Sequence, residues 1–326
     1  MKHADGIVLA AGDGKRMRAP LPKVAHVLLG RPMILWSLDA LRQAGFQRAV
    51  AVVSPRHGVV HEMLNDYNDR HLEFTVCQTF QNQPLGTGDA ARQGFLGLQH
   101  DNAHLSLAGR TLVVVTGDTP LLTPTTLHRF VSFHRDGGYA VSVLAFHTNI
   151  PVGYGRVLLD SKGHFFAIRE EKDCTDEERE VKLCHSGIMC IEATEAERLL
   201  GSLNRNNAAQ EYYLTDVPAI AKEICSDRTE PVGVFRAREG QEFEGVNTQE
   251  QLARAASVLQ QRVLAVHMAH GVRFEAPHLC YVEPEVTFGE GVVVEPFVCL
   301  RGQVHIPAGT RVKSGTGIVA CPQFAE

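Results

Sequence analysis

Residues 9–17 read LAAGDGKRM: the end of an apolar run, a Gly-x-Gly step at Gly12 and Gly14, then the cations Lys15 and Arg16. A backbone with so little side-chain cover, placed directly before two positive charges, suits a large anion lying over peptide N–H groups. Arg16 would add a planar fork for pyrophosphate oxygens. Two familiar phosphate loops are excluded by spacing. A dinucleotide fingerprint needs a third glycine where Met17 stands, and a Walker loop needs glycine at Leu9 and a hydroxyl residue at Arg16. An anion nest remains, beside the alternative of a strand-to-helix turn whose glycines serve geometry alone.

Composition narrows the chemistry further. Net charge is −5 over 326 residues, so no general attraction to nucleic acid is expected and any anion site must be local. The eight cysteines are dispersed with no Cys-x-x-Cys pair, which suits small buried residues in a reducing compartment better than a zinc site or a disulfide framework. The sixteen histidines include no His-Glu-x-x-His arrangement. No apolar stretch approaches the roughly 18 residues of a membrane span, and the N-terminus reaches its glycine too soon for a signal peptide. The expectation is a cytoplasmic protein, sized for two domains, with neither nucleic acid nor membrane as partner.

A loop that cradles phosphate must be held at the end of a strand. GIVLAA is a continuous apolar run, as a doubly covered strand requires. Pro32 is placed as a first-turn residue for a helix through MILWSLDALRQ, closed by Ala44-Gly45. RAVAVVS, LEFTVCQ, TLVVVTGD and YAVSVLAF follow as strands. Helices near 57–66, from Gly88 to about Leu98, and from Thr123-Pro124 lie between them. Strands separated by helices of this length imply right-handed crossovers, with ligands at the carboxyl ends of the strands. GRVLLD and HFFAIRE, joined around Ser161-Lys162-Gly163, read as a hairpin beside the main sheet.

Residues 249–270 suit a long amphipathic helix, with Leu252, Ala255, Ala256, Leu259, Val263 and Val266 at helical spacing and Gly271 past its end. The period then becomes six. Val286, Val292, Val298 and Val304 recur at that step, and Phe288, Val294, Leu300, Ile306, Val312 and Ile318 recur two places later. A parallel β-helix with one short strand per hexapeptide produces this double register over Cys280 to Ala320, about two coils at three hexapeptides each. A pair of ordinary hairpins is the plainer alternative.

The segment LAAGDGKRMRAPLPKVAHVLLGRPM resembles the opening signature of sugar-1-phosphate nucleotidylyltransferases, specifically the bacterial N-acetylglucosamine-1-phosphate uridylyltransferase family. QNQPLGTGDAA, VVVTGDTPLL, GYGRV, EEKDCTDEER, EYYLTDVPAIAKE and FEGVN match in order, so the resemblance spans residues 7–247. It implies a Rossmann-like, GT-A-like α/β nucleotidylyltransferase domain with a mixed sheet over 1–248. A linker helix over 249–271 and a short left-handed parallel β-helix over 272–326 would follow.

The implied reaction joins UTP and N-acetylglucosamine 1-phosphate into UDP-N-acetylglucosamine and pyrophosphate. Its nucleophile is a phosphate oxygen already ionised near neutral pH. No side chain need remove a proton, which accounts for the lack of a Ser-His or Cys-His arrangement. Positioning and charge neutralisation must supply the rate. The resemblance implies that Arg16 holds the leaving pyrophosphate and that Lys23 neutralises the phosphates from the other side. Mg2+ would be held by Asp118 and Asn247. Leu9, Ala10, Ala11 and Gly12 with Gly14, Gln81, Gly86 and Thr87 would bind the nucleotide, and Thr116, Gly117, Gly155, Glu170 and His185 the sugar.

Taken alone, the same residues have plainer readings: Arg16 and Lys23 as solvated cations, Asp118 as an N-cap or turn residue, Asn247 as a helix cap, Glu170 as part of a charge run. Tyr212, Tyr213 and Asp216 read as packing and helix positioning near the pocket. Two departures from the family pattern bear on the sugar: His185-Ser186 stand where Asn-Thr is expected, and Thr116 stands where the tyrosine of Tyr-Gly-Asp is usual, which removes a ring from the pocket wall. The same chemistry on another sugar or base, or a non-catalytic sugar-nucleotide sensor, are the competing functions. Two coils are too few for the acetyltransferase site that long relatives carry, so no acetyl transfer is expected. The short β-helix would assist homotrimer formation.

Overall fold

A computed structural model describes residues 1, 3–101, 106–238 and 240–320. In chain order the elements are β1 (Ala4–Leu9), a hairpin of β2 (Val27–Leu28) and β3 (Arg31–Pro32), α1 (Met33–Gln43), β4 (Arg48–Val53), α2 (Gly58–Arg70), β5 (Thr75–Phe80), α3 (Thr87–Asp101) and β6 (Thr111–Thr116). There follow α4 (Pro124–Asp136), β7 (Val141–His147), β8 (Arg156–Leu159), β9 (Phe165–Arg169), α5 (Asp176–Arg179), β10 (Leu183–Glu192), α6 (Ala196–Gly201), α7 (Val217–Ile224), β11 (Val232–Arg236) and α8 (Gln249–Ala269). Eight short strands complete the described chain: β12 (Arg273–Phe274), β13 (Tyr281–Val282), β14 (Thr287–Phe288), β15 (Val293–Val294), β16 (Cys299–Arg301), β17 (His305–Ile306), β18 (Arg311–Val312) and β19 (Gly317–Val319). Among the described residues no helix is long and apolar enough to cross a membrane.

The chain divides into two compact units. The first holds Met1–Gly14, Pro22–Val24 and Ile34–Gly245; the second holds Lys15–Leu21, Ala25–Met33 and Val246 onward. The first unit is built on a mixed sheet in the order β11-β7-β10-β6-β1-β4-β5, to which the β8–β9 hairpin is attached where Arg156 pairs with Cys184. RAVAVV and TLVVVT in β4 and β6 are buried almost throughout, because a strand covered on both faces needs small or apolar side chains at every step. β1 runs parallel to β4 and β6 with Ile7 opposite Val50 and Val114. β10 departs from the alternating strand-helix rhythm by running antiparallel between β6 and β7. Ile7, Val52, Phe95, Val114, Met189 and Leu214 belong to one buried cluster.

Parallel β1, β4, β5 and β6 all end at the same edge, and the chain keeps bonding for one residue beyond β1, β5 and β6. Ala10 N donates to Val52 O (2.8 Å), Gln81 N to Val53 O (2.9 Å), and Gly117 N to Leu9 O (2.9 Å). These bonds fix the starts of the three loops that carry the site.

In the second unit, Leu29 and Gly30 turn the β2–β3 hairpin with φ of +47° and +72°. Positive φ at both central residues matches the twist of paired strands. For leucine this conformation costs about 1–2 kcal/mol. Its side chain is only 3% exposed, on the wall of a groove it shares with Gln260, Leu264 and Tyr281, and burial on that scale returns about 1.5–3 kcal/mol. Pro32 corrects the sequence expectation. It is the last residue of β3, one place before α1, where extended backbone suits its fixed φ and Val27 is its register partner.

α8 also departs in detail from the expected stripe. Ala255, Leu259 and Leu264 are its buried residues, while Val266 is exposed, because the helix packs through Leu264 onto the core of the short strands. Those strands form three parallel ladders, β12-β15-β18, β13-β16-β19 and β14-β17. Tyr281 pairs with Cys299 and Cys299 with Gly317, each a step of three hexapeptides. Parallel pairing therefore begins at Arg273, ahead of Cys280 where the six-residue register is first readable, and the coil passes two turns. A 3-10 turn at Pro277–Leu279 lengthens the first coil, where Arg273 pairs with Val293, and that insertion breaks the six-residue period in the sequence. Val282, Val292, Val294 and Leu300 are fully buried inside the coil. Ile318, expected to point inward, is exposed in the last described coil. Residues 321–326 of the expected β-helix domain lie outside the described residues.

Candidate active site

At the carboxyl edge of the sheet, a cavity of about 270 Å³ is lined by Leu9, Ala10, Ala11, Gly12, Lys23, Gln81, Gly86, Thr87, Thr116 and Asp118 of the expected residues. Val24, Pro84, Ala90 and Glu211 complete its wall. Residues from five separate stretches of sequence thus meet at the edge where parallel strands leave their loops. Gly14 and Gly117 flank the lining: Gly14 carries a φ of +64°, and Gly117 bonds to Leu9 as described.

Asp118 stands two residues beyond β6. Its turn is fixed from beneath, since Ser37 Oγ and Thr119 Oγ1 both donate to the Thr116 carbonyl (3.1 and 2.9 Å). The N-cap of α4 is Thr123, whose hydroxyl accepts from Thr126 N, so Asp118 is not used as a cap. Its carboxylate accepts from the Lys23 ammonium instead, with both side chains largely buried. A carboxylate and an ammonium in one partly dry cleft give opposite charges to offer a polyphosphate and its counter-cation, at a dielectric where each is worth more than in water. The hard oxygen of Asp118 fits magnesium, which needs one or two protein carboxylate or carbonyl donors and takes the rest from water and phosphate.

Gln81 Nε2 donates to both the Gly86 carbonyl (3.0 Å) and Asp89 Oδ2 (2.9 Å). With both amide protons committed, its Oε1 is left to accept. Gly86 has a φ of +110°, and a Cβ there would stand 2.5 Å from Tyr212 O. Gly86→Ala is therefore expected to lower stability by about 2 kcal/mol through strain and overpacking. A denaturant midpoint equal to that of the parent protein would show that the loop can yield.

The residues expected at the sugar form a neighbouring group. His185 N donates to Gly155 O (2.8 Å), and a Cβ on Gly155 would lie 3.8 Å from the Glu170 carboxyl carbon. Glu170 Oε1 accepts from Thr215 Oγ1 (2.8 Å). Burial pushes the Glu170 carboxyl up, the Thr215 bond opposes this, and Asp216, Asp173 and Glu211 add to the rise. Burial brings the His185 pKa down to about 4 against a backbone bond to Leu144, so the ring is neutral at pH 7, and its Nδ1 is buried without a partner. Thr116 Cγ2 sits 3.2 Å from where a Gly187 Cβ would be.

One short turn joins the two groups. In the 3-10 turn Leu214–Asp216, Leu214 N donates to Thr87 Oγ1 (3.1 Å) while the next residue, Thr215, bonds Glu170. EYYLTD is the sequence signal for this: Tyr212 pairs its backbone with Leu85 O and Gly88 N (both 2.8 Å), and Leu214 and Thr215 carry the link on to Thr87 and Glu170. Glu211 from the same motif lines the cavity.

Arg16 and Asn247 belong to the second unit. Arg16 Nη2 donates to Asn247 Oδ1 (3.0 Å). Thr248, not Asn247, caps α8, its hydroxyl accepting from Gln251 N (3.2 Å). Gln249 Nε2 donates to Met17 O (3.3 Å). Residues 249 and 251 carry no signal beyond an ordinary helix start.

A family model described as the MobA-like NTP transferase domain matches residues 6–266. The Bifunctional protein GlmU of Caldanaerobacter subterraneus subsp. tengcongensis is 34% identical over 319 residues, 98% of this chain and 65% of that protein. The protein of the same name from Syntrophomonas wolfei is 34% identical over 312 residues, 96% and 65%. That from Pelobacter propionicus is 36% identical over 327 residues, 98% and 66%. The chain thus spans about 65% of the length of these curated relatives. It belongs to the MobA-like NTP transferase family, as a GlmU-like member.

Proposed function

We propose that this chain transfers a uridylyl group from UTP to N-acetylglucosamine 1-phosphate, forming UDP-N-acetylglucosamine and pyrophosphate. The observation that carries the proposal is the Lys23–Asp118 ion pair set in a cavity whose other walls are the glycine loop and the Gln81–Thr87 loop. Gln81 Oε1 would accept the imide N–H of uracil, Gly86 would let the base approach the backbone, and Thr87 would border it. Lys23 would neutralise the triphosphate as the sugar-phosphate oxygen attacks the α-phosphorus, and Arg16 would hold the departing pyrophosphate. Magnesium, when bound, would stabilise the charge that moves to that leaving group; Asp118 and Asn247 are the oxygen donors proposed for it. Glu170 and the Gly155 backbone would orient the sugar.

Pyrophosphate release across a panel of nucleoside triphosphates and sugar 1-phosphates tests this. UTP with N-acetylglucosamine 1-phosphate is expected to be the fastest pair, and removal of magnesium with EDTA to lower its rate by about 100-fold or more. If that pair is among the slowest, the assignment of substrates fails. The buried, unpartnered Nδ1 of His185 favours one second reading, the same reaction on a sugar differing in the group it turns toward position 185. The panel separates the two.

A further inference from the structure

The β2–β3 hairpin meets the first coil at two of its residues, Gly30 and Arg31. Gly30 lies so close to Glu283 that a Cβ would stand 2.5 Å from its carboxyl carbon. Glu283 is itself buried, 5% exposed, and accepts from Gly302 N (2.7 Å) and Tyr281 Oη (3.4 Å). The next hairpin residue, Arg31, forms an ion pair with Glu285, the two side chains 18% and 13% exposed. Leu29 lines a groove together with Tyr281. At the other end of the same stretch, Arg16 bonds Asn247 and the Met17 carbonyl bonds Gln249.

We infer that Glu283 and Glu285 are positioning residues for nucleotidyl transfer, acting through Gly30 and Arg31 to hold the segment that carries Arg16. This rests on the role proposed above for Arg16. Both ends of residues 15–33 are tied to residues 247–285 of one unit, with hydrogen bonds at one end and an ion pair at the other. Lys23 lies in that segment and Arg16 two residues beyond Gly14, so covalent continuity carries a displacement of the hairpin toward both cations. A pair of this kind also suits Arg and Glu chemically, because a mostly buried ion pair loses far more on removal of one partner than an exposed one.

The test uses the full chain with Arg31→Glu, Glu285→Arg and the two combined, and Glu285→Gln as a milder change. Hydrogen exchange of residues 15–33 is read beside kcat and KM for pyrophosphate release. Each single reversal is expected to speed exchange in 15–33 by about tenfold or more while leaving the β1, β4 and β6 amides protected. kcat should fall about tenfold, with KM for the sugar phosphate changed by less than about twofold, the signature of displaced reacting geometry. The combined swap is expected to restore both readouts. Unchanged exchange in 15–33, faster exchange with unchanged kcat, or no recovery in the swap would each overturn the inference. Should the parent protein release no pyrophosphate from any pair, the proposed function fails on its own, and the exchange and its rescue still decide whether the clasp exists.

Discussion

Asp118→Ala is expected to cut pyrophosphate release by about three orders of magnitude, about 4 kcal/mol of lost transition-state stabilisation, while the sheet stays folded. Two losses add. The carboxylate proposed to hold the divalent cation disappears, and the Lys23 ammonium is left partly buried without the anion it now bonds. The substitution lies in a loop beyond β6, so β6 keeps its register with β1 and β10. Asp118→Asn separates the two effects, since it preserves an oxygen donor and the shape of the turn but removes the charge. Its rate should lie between those of alanine and the parent protein. Steady-state assays at saturating magnesium, with circular dichroism as the control for folding, make the measurement. A rate for Asp118→Ala within about threefold of the parent would remove this residue from the chemistry.

The largest effect on stability is expected at the opposite edge of the same sheet. Asp5 is fully buried between two guanidiniums: Arg48 Nε and Nη2 reach it at 2.5 and 3.0 Å, Arg110 Nε and Nη2 at 2.7 and 2.5 Å. Asp5→Ala leaves two buried cations facing each other and should destabilise the protein by about 3–5 kcal/mol, a fall of roughly 10 °C in Tm for a protein of this size. The pH dependence has a definite sign. Burial pushes the Asp5 carboxyl up, but the hydrogen bonds and charges of Arg110 and Arg48 outweigh it, and the net pKa is lowered. Its contribution is therefore complete above the unfolded value near 4 and is lost as pH falls through the lower folded value. The gap between parent and Asp5→Ala should be constant from pH 5 to 8 and close only in stronger acid. A gap that closes between pH 7 and 5 would contradict this account.

His134 and His185 act earlier in an acid titration. Burial lowers His134 to about 3, with Arg135 and Arg228 adding to the effect, and lowers His185 to about 4. The unfolded chain takes up these protons first, so both histidines cost stability as pH drops below about 6.5, until the folded values are reached.

Much of the first unit is legible because its strands are uniform apolar runs, a pattern that follows from coverage on both faces. The cavity lining at Leu9–Gly12, Gln81, Gly86, Thr87 and Thr116 was legible through the resemblance to sugar-1-phosphate nucleotidylyltransferases, and Asp118 also through its place just past a strand's carboxyl end. β10 was not, because LCHSGIMCIE runs antiparallel and is interrupted by a bulge between His185 and Met189. Nor were the links made by Leu214 N and Thr215 Oγ1, which depend on backbone direction and a single hydroxyl. Leu29 carries none of the Asn-Gly chemistry that marks such a turn; only its burial beside Tyr281 explains it. The first coil was hidden by the extra turn at Pro277–Leu279, which shifts the repeat by two residues.

The interleaving of the two units, with 15–21 and 25–33 grouped alongside everything from Val246 onward, bears on how such a protein can be inherited. A recombination crossover near residue 248 would not exchange one self-sufficient module for another. It would pair an N-terminal hairpin with a foreign coil lacking its Glu283 and Glu285. Lineages that swap the carboxyl-terminal portion must therefore bring matching changes at residues 29–31, so these two distant stretches are expected to vary together.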